Sequence, residues 1–298
     1  MSIIQNALDK ARQAIGSTGA AGGSQEPGDA SRRDMAGLPE RHRRIEIDID
    51  QLRARDELPE AGEELRFADC YREIKRPLIQ RALAAGAHAD ARLILVTSAL
   101  PAEGKTFTAL NLALSIARER DVSVLLIDAD VPKAHLSRTF GVQDEPGLLD
   151  ALSDETIDAE SLVLGTDVHG LELLPAGKAI EGAAELIASA RMAQICARLT
   201  GRFPRRMALL DSAPLLVSSE ARALKQIPGQ ILMVTRAGKT PRQALLDAIA
   251  LLDKSRLYGL ILNEAHFTGG DGYYTHYGYA AYGATERLGS RPEGRRTR

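Results

Sequence analysis

The stretch Leu93-Ile-Leu-Val-Thr-Ser-Ala-Leu-Pro-Ala-Glu-Gly-Lys-Thr106 constrains the chain more than any other. Leu93 to Val96 is an apolar run of the buried-strand type. Pro101 to Gly104 breaks it, and helical spacing resumes from Thr108 to Ala117. Strand, tight loop, Gly-Lys-Thr and helix make the layout of a P-loop. In such a loop the backbone N–H groups point inward and the helix N-terminus adds partial positive charge, so together they cradle phosphates. Lys105 then reaches the β- and γ-phosphates, and the Thr106 hydroxyl is a ligand for Mg²⁺. The motif is incomplete. Ala99 stands where a full motif has its first glycine, and Ala102 where a second is expected. Alanine meets a steric penalty at positive φ that glycine escapes. For these residues alone, an ordinary strand-turn-helix with a chance Gly-Lys-Thr is the alternative.

Further strands place more chemistry beside this loop. Val122-Ser-Val-Leu-Leu-Ile-Asp-Ala-Asp130 is a second buried-type strand ending in two acids at i and i+2. Strand side chains alternate faces, so Asp128 and Asp130 share one. Arg206-Met-Ala-Leu-Leu-Asp-Ser-Ala-Pro214 is a third, ending in Asp211 after four apolar residues, the Walker B pattern whose acid holds Mg²⁺ directly or through water. Residues 171–177, 230–235 and 257–262 read as more strands, and residues 181–200 and 241–254 as helices; residues 131–165 read as short helices and loops. Apolar strands alternating with helices predict an α/β fold, a mostly parallel sheet covered on both faces. The carboxyl ends of its strands are then the ligand edge.

The flanks have a different character. Residues 1–15 place Ile4, Leu8, Ala11 and Ile15 at helical spacing, a short amphipathic helix suited to docking on a partner. Gly, Ser, Ala and Pro dominate from residue 16, and a disordered linker is expected over 16–58. The P-loop domain is expected over 59–268. In the helix read over 60–84, Asp69, Arg72 and Lys75 recur every three residues, either a solvated charged face or a face for a neighbouring subunit. Residues 269–298 form a tail in which Tyr273, Tyr274, Tyr277, Tyr279 and Tyr282 are five of the chain's seven tyrosines. The net charge of −2 gives no basic field, so no specific nucleic-acid partner is expected. No apolar run approaches the ~20 residues that span a bilayer, no signal-peptide core is visible, and Cys70 and Cys196 form no metal or disulfide motif. The cytoplasm is the expected location.

Taken together these residues resemble the bacterial tyrosine autokinases of exopolysaccharide export, a P-loop family unrelated to eukaryotic protein kinases. The resemblance spans about residues 65–282. It rests on Pro101-Ala-Glu-Gly-Lys-Thr106, Ile127-Asp-Ala-Asp130, Leu210-Asp-Ser-Ala-Pro214 and the tyrosine cluster. The N-terminal helix, the linker and Tyr71-Arg-Glu-Ile-Lys-Arg-Pro-Leu78 look most like the exosortase-associated subgroup. Where the family carries Glu-x-x-Arg-x-x-Arg for ring assembly, this chain has Asp69, Arg72 and Lys75. Ala102 replaces the usual glycine.

The resemblance implies an ATP- and Mg²⁺-dependent protein-tyrosine kinase that phosphorylates its own tyrosine cluster in trans. Nucleotide would lie on Ala102, Glu103, Gly104, Lys105, Thr106 and Phe107, with Asn263 at the adenine. Mg²⁺ would be organised by Thr106, Asp130 and Asp211, and Lys105, Asp128 and Asp130 would be catalytic, Asp128 as base. The partners implied are further copies of the chain in a ring and a membrane-bound activator that brings the protein to the inner membrane. Two other classes stay open: a partition- or septum-positioning ATPase, and a non-catalytic nucleotide-binding adaptor.

Overall fold

The computed structural model describes residues 43–265 apart from residue 85. The expectations for the N-terminal helix, for residues 16–42 and for the five tail tyrosines lie outside the described residues. The chain opens with β1 (Arg44–Ile45), helix α1 (Ile49–Ala54) and the long helix α2 (Glu64–Ala82). The P-loop unit follows as β2 (Leu93–Ser98) and α3 (Lys105–Ile116). Then come β3 (Ser123–Ala129), α4 (His135–Thr139), α5 (Leu148–Ser153), β4 (Leu164–Thr166), β5 (Leu171–Leu174), α6 (Ala183–Ile187) and α7 (Ala190–Gly201). The last elements are β6 (Arg206–Ser212), α8 (Ser219–Leu224), β7 (Gln230–Arg236), α9 (Arg242–Ala250) and β8 (Leu257–Asn263).

The strands form one sheet in the order β1-β4-β5-β3-β6-β2-β7-β8. Neighbours run parallel except β4 and β5, which are antiparallel. The mostly parallel α/β sheet expected from the apolar runs is therefore present. The two short strands β1 and β4 fall in stretches read as linker and loop. Every residue of β2, β3 and β6 is buried. Odd and even positions feed different cores. Ile94, Val96, Val124, Leu126 and Leu209 pack under α2 and α3 with Leu78, Leu110 and Ile116. On the opposite face Leu95, Leu125, Ile127 and Leu210 pack with Met192, Ile195, Leu199 and Ala248. Two covered faces explain why these strands are apolar throughout rather than alternating.

The fold begins before residue 59. Asp48 caps α1, its Oδ1 accepting from Gln51 N at 2.9 Å. Ile47, Ile49, Leu52 and Leu58 are buried. The Arg44 guanidinium donates to Thr166 O at 2.7 Å, and Ile47 N donates to Asp167 Oδ1 at 2.9 Å. Residues 44–58 are thus a packed strap, not linker. β8 ends at Asn263, and the boundary expected at 268 lies outside the described residues. The helix read over 181–200 is two helices, α6 and α7, separated at residues 188–189.

Lys75 also departs from expectation. In α2 the buried positions are Tyr71, Lys75, Leu78 and Ala82, the i, i+4, i+7, i+11 stripe of a helix face. The Lys75 ammonium donates to Ser115 O at 2.6 Å and pairs with Glu119 at 2.8 Å. Ser115 carries one of the last carbonyls of α3, which have no partner within the helix, so Lys75 completes that C-terminus. Asp69 and Arg72 pair with each other on the exposed side. The three residues therefore do not form one presented face.

The amino end of the sheet holds a buried ion cluster. Arg206, fully buried, donates to both oxygens of Glu160 at 2.8 and 2.9 Å and forms an ion pair with Glu172 at 2.7 Å, over the Phe203 ring. Removing the cation leaves two buried carboxylates facing each other. Arg206→Met is expected to lower unfolding free energy by about 3–5 kcal/mol, measured by urea unfolding; a loss near zero would mean that the cluster is not held as described.

Candidate active site

The P-loop takes its shape from two residues at positive φ. Gly104 sits at φ +87°, and a Cβ there would lie 2.0 Å from Asn263 Nδ2, so only glycine fits. Ala102 sits at φ +60°. The loop therefore imposes the left-handed conformation on an alanine, a strain of order 1–2 kcal/mol. Ala99 is buried and has no positive φ, so its missing glycine is harmless to the backbone.

The loop is braced from outside. The Glu103 carboxylate is buried, accepting from Leu100 N at 2.8 Å and from the Thr240 hydroxyl, and Thr240 Oγ1 accepts from Arg236 N at 2.8 Å. Asn263 Nδ2 donates to Glu103 O at 3.2 Å. From the other side Leu215 N donates to Ser98 O at 2.8 Å and Thr97 Oγ1 to Ala213 O at 3.1 Å. Thus β6, β7 and β8 all contribute to holding the loop after β2. Of the expected nucleotide residues, Glu103 and Phe107 have their side chains engaged within the protein. Glu103 is a strut, and the Phe107 ring packs edge-on against Phe67 of α2 at 5.9 Å. Asn263 is brought to the loop backbone itself.

The acids meet beside Lys105, the first residue of α3. Asp128 and Asp211 are register partners on the adjoining strands β3 and β6, and both are fully buried. Asp211 Oδ2 accepts from Thr106 Oγ1 at 2.7 Å. Asp128 Oδ2 accepts from Ser137 N and Ser137 Oγ, both at 2.7 Å. The other oxygen of each carboxylate, Oδ1, is buried without a hydrogen-bond donor. Asp130 follows β3 at the mouth of the site, 5% exposed. Burial pushes the Asp211 carboxyl up to about 8, with the Asp128 charge adding to it and the Thr106 hydrogen bond and Lys105 opposing. Burial likewise raises Asp128 to about 6 against the Ser137 bonds. Asp130 is raised by burial, with Lys105 and Lys133 opposing. The Lys105 ammonium is lowered by burial and supported by Asp211 and Asp130.

Two buried acceptor oxygens without donors, beside a hydroxyl and at the edge where phosphates would lie, suit a small hard cation. Among the described residues no group of three or more His, Cys, Asp or Glu could hold a metal alone. Mg²⁺ is held by one or two carboxylates together with phosphate oxygens and water. Thr106, Asp211 and Asp130 are the residues that could hold it. A separate cavity of about 530 Å³, walled by Leu93, Ile187, Cys196 and Arg256, contains none of these residues.

A mostly parallel sheet with a Gly-Lys-Thr helix start and strand-end acids at one edge defines a P-loop α/β protein. Comparison with known proteins narrows this. No protein-family model matches the chain. It is 30% identical over 172 residues to the tyrosine-protein kinase YwqD of Bacillus subtilis, covering 57% of this chain and 71% of that protein. It is 29% identical over 174 residues to the tyrosine-protein kinase ptk of Acinetobacter johnsonii, covering 58% of this chain. The solved VpsO kinase domain matches with a TM-score of 0.57 and 30% identity over 68% of this chain and 98% of that domain. The chain belongs to the bacterial tyrosine-protein kinases. It spans 23% of the length of ptk.

Sequence reasoning missed Ser137, Glu103's strut role and the strap residues. Only the strap left a signal: Asp48-x-x-Gln51 has capping-box spacing.

The buried acids make stability depend on pH. A carboxyl whose folded value lies above the unfolded value near 3.9 binds its proton more tightly when folded, so its stabilisation is lost as pH rises toward about 8. Asp211→Asn removes that loss and keeps an oxygen for Thr106. In metal-free protein the variant is expected to melt higher than the parent by at least ~3 °C at pH 8.5, with a smaller gap at pH 5.5, measured by calorimetry. A gap independent of pH would contradict the burial of this charge.

Proposed function

We propose that the chain is an ATP:protein-tyrosine phosphotransferase whose acceptors are the tyrosines 273–282 of a neighbouring copy. The observation that carries this is the pair Asp128–Asp211, each with a donor-free buried oxygen, beside Lys105 and Thr106 at one sheet edge. Mg·ATP supplies the transferable phosphoryl group and a divalent charge. The N–H groups at the start of α3 and the Lys105 ammonium offset phosphate charge. Thr106, Asp211 and Asp130 would hold the metal. Asp128 takes the tyrosine hydroxyl proton on its free oxygen while Ser137 holds the other; the phenolic oxygen forms the new ester bond to the γ-phosphorus as the bond from that phosphorus to the β–γ bridging oxygen breaks, and ADP leaves with the electron pair. Asn263 lies beside Gly104 and donates to the loop at Glu103 O, and adenine recognition is also assigned to it.

The biological setting follows the relatives, among which is the succinoglycan biosynthesis transport protein ExoP of Rhizobium meliloti. Regulation of exopolysaccharide polymerisation or export is the proposed role, through a cyclic oligomer and a membrane-bound activator. No helix among the described residues is long and apolar enough to cross a membrane. With Lys75 turned inward, only Asp69 and Arg72 of the three remain exposed on α2 for subunit contact.

Incubation with Mg·ATP followed by phosphosite mapping tests the activity. Phosphate on 273–282 is expected, falling at least ~100-fold in Lys105→Ala; ATP hydrolysis without phosphotyrosine would instead favour the positioning ATPases. Each phosphotyrosine adds roughly −1.5 to −2 charges, so a fully modified tail repels itself and its neighbours. Sedimentation is expected to show a smaller species for phosphorylated protein; equal sizes would refute an assembly switch.

A further inference from the structure

Helix α4 lies next to the acids and cannot hold itself. It has only five residues, below the length at which a helix is stable alone. Its N-cap is Ala134 at φ +43°, with no side-chain capping bond. Yet its central residue, Ser137, makes both hydrogen bonds to Asp128 Oδ2, and Ser137 Oγ accepts from Ala176 N at 3.0 Å.

The strap supplies what α4 lacks. The Glu57 carboxylate, 6% exposed as a residue, meets His135 Nε2 at 2.5 Å at the first position of α4. Arg55 Nη1 donates to Arg138 O at 3.0 Å and Thr139 O at 3.3 Å, carbonyls of the last turn. Both ends of α4 are therefore gripped by residues two apart in the strap. Glu57 is in turn fixed to the P-loop helix, because its carbonyl accepts from Asn111 Nδ2 of α3 at 3.0 Å.

We infer that Glu57 and Arg55 are positioning residues: they hold α4 so that Ser137 fixes the Asp128 carboxylate relative to the P-loop. Neither touches the reacting atoms. The inference rests on the kinase reading for its kinetic readout, though not for its structural one. It gives the strap a role in positioning the acids as well as in packing.

The test uses the full chain. Glu57→Ala is expected to lower the turnover of tail phosphorylation about tenfold, since small misplacements of a catalytic group are costly. The dissociation constant for a non-hydrolysable Mg·ATP analogue should stay within about twofold, because the P-loop is braced elsewhere. Glu57→Gln keeps an acceptor for His135 and should recover most of the turnover. His135→Ala should match Glu57→Ala, and the double variant should lose no more than either, as expected of one contact. Unchanged turnover, or nucleotide affinity falling in step with it, overturns the inference. Absence of phosphotyrosine in the unaltered protein would instead overturn the kinase reading. In that case deuterium exchange over residues 135–140 decides: faster exchange in Glu57→Ala at an unchanged melting temperature supports the positioning role, and unchanged exchange refutes it.

Discussion

Two carboxylates at register positions on adjoining, fully buried strands are the constraint to which the rest of the molecule answers. Strands lie about 4.8 Å apart, and Asp128 and Asp211 sit there without solvent. Burial disfavours both charges, and the Asp128 charge disfavours that of Asp211 further. The fold offers each one hydroxyl-bearing partner, Thr106 for Asp211 and Ser137 for Asp128, and leaves one oxygen of each open. Lys105 provides the nearby positive charge. Such a site is unstable when empty and becomes favourable when a cation and phosphates enter it.

Keeping that arrangement requires the loops at the sheet's carboxyl edge to hold still. The P-loop is tied to the ends of β6, β7 and β8 through Leu215, Thr240 and Asn263. Helix α4 is tied to the strap through Arg55 and Glu57. Strain at Ala102 is tolerated because these bonds over-determine the loop. Site and scaffold are thus continuous, and a change in the strap reaches the acids through one short helix.

Much of this was legible from residue order. Strands covered on both faces are written as unbroken apolar runs, so β2, β3 and β6 stood out, and so did the acids at their ends. The strap was hidden because a glycine-rich composition upstream made 16–58 look uniform. The alternation of Ile45, Ile47 and Ile49 and the Asp48 cap belonged to structure, not to linker. Lys75 was misread because a spacing of three drifts around a helix by about 60° per step, carrying it from the face of Asp69 to the buried stripe. Ser137 and Glu57 were beyond reach for another reason: their roles arise from contacts 9 and 78 residues distant, which no local pattern encodes.

The central claim is that Thr106, Asp211 and Lys105 together receive metal and triphosphate, leaving the open oxygen of Asp128 to face the transferable phosphate. A crystal structure with Mg²⁺ and a non-hydrolysable ATP analogue tests it most directly. The account predicts the metal bound to Thr106 Oγ1 and reached, directly or through water, by Asp211, with Lys105 on the phosphates and Asp128 facing the γ-phosphate. Nucleotide bound away from residues 102–107, or a metal with no link to Asp211, would contradict it.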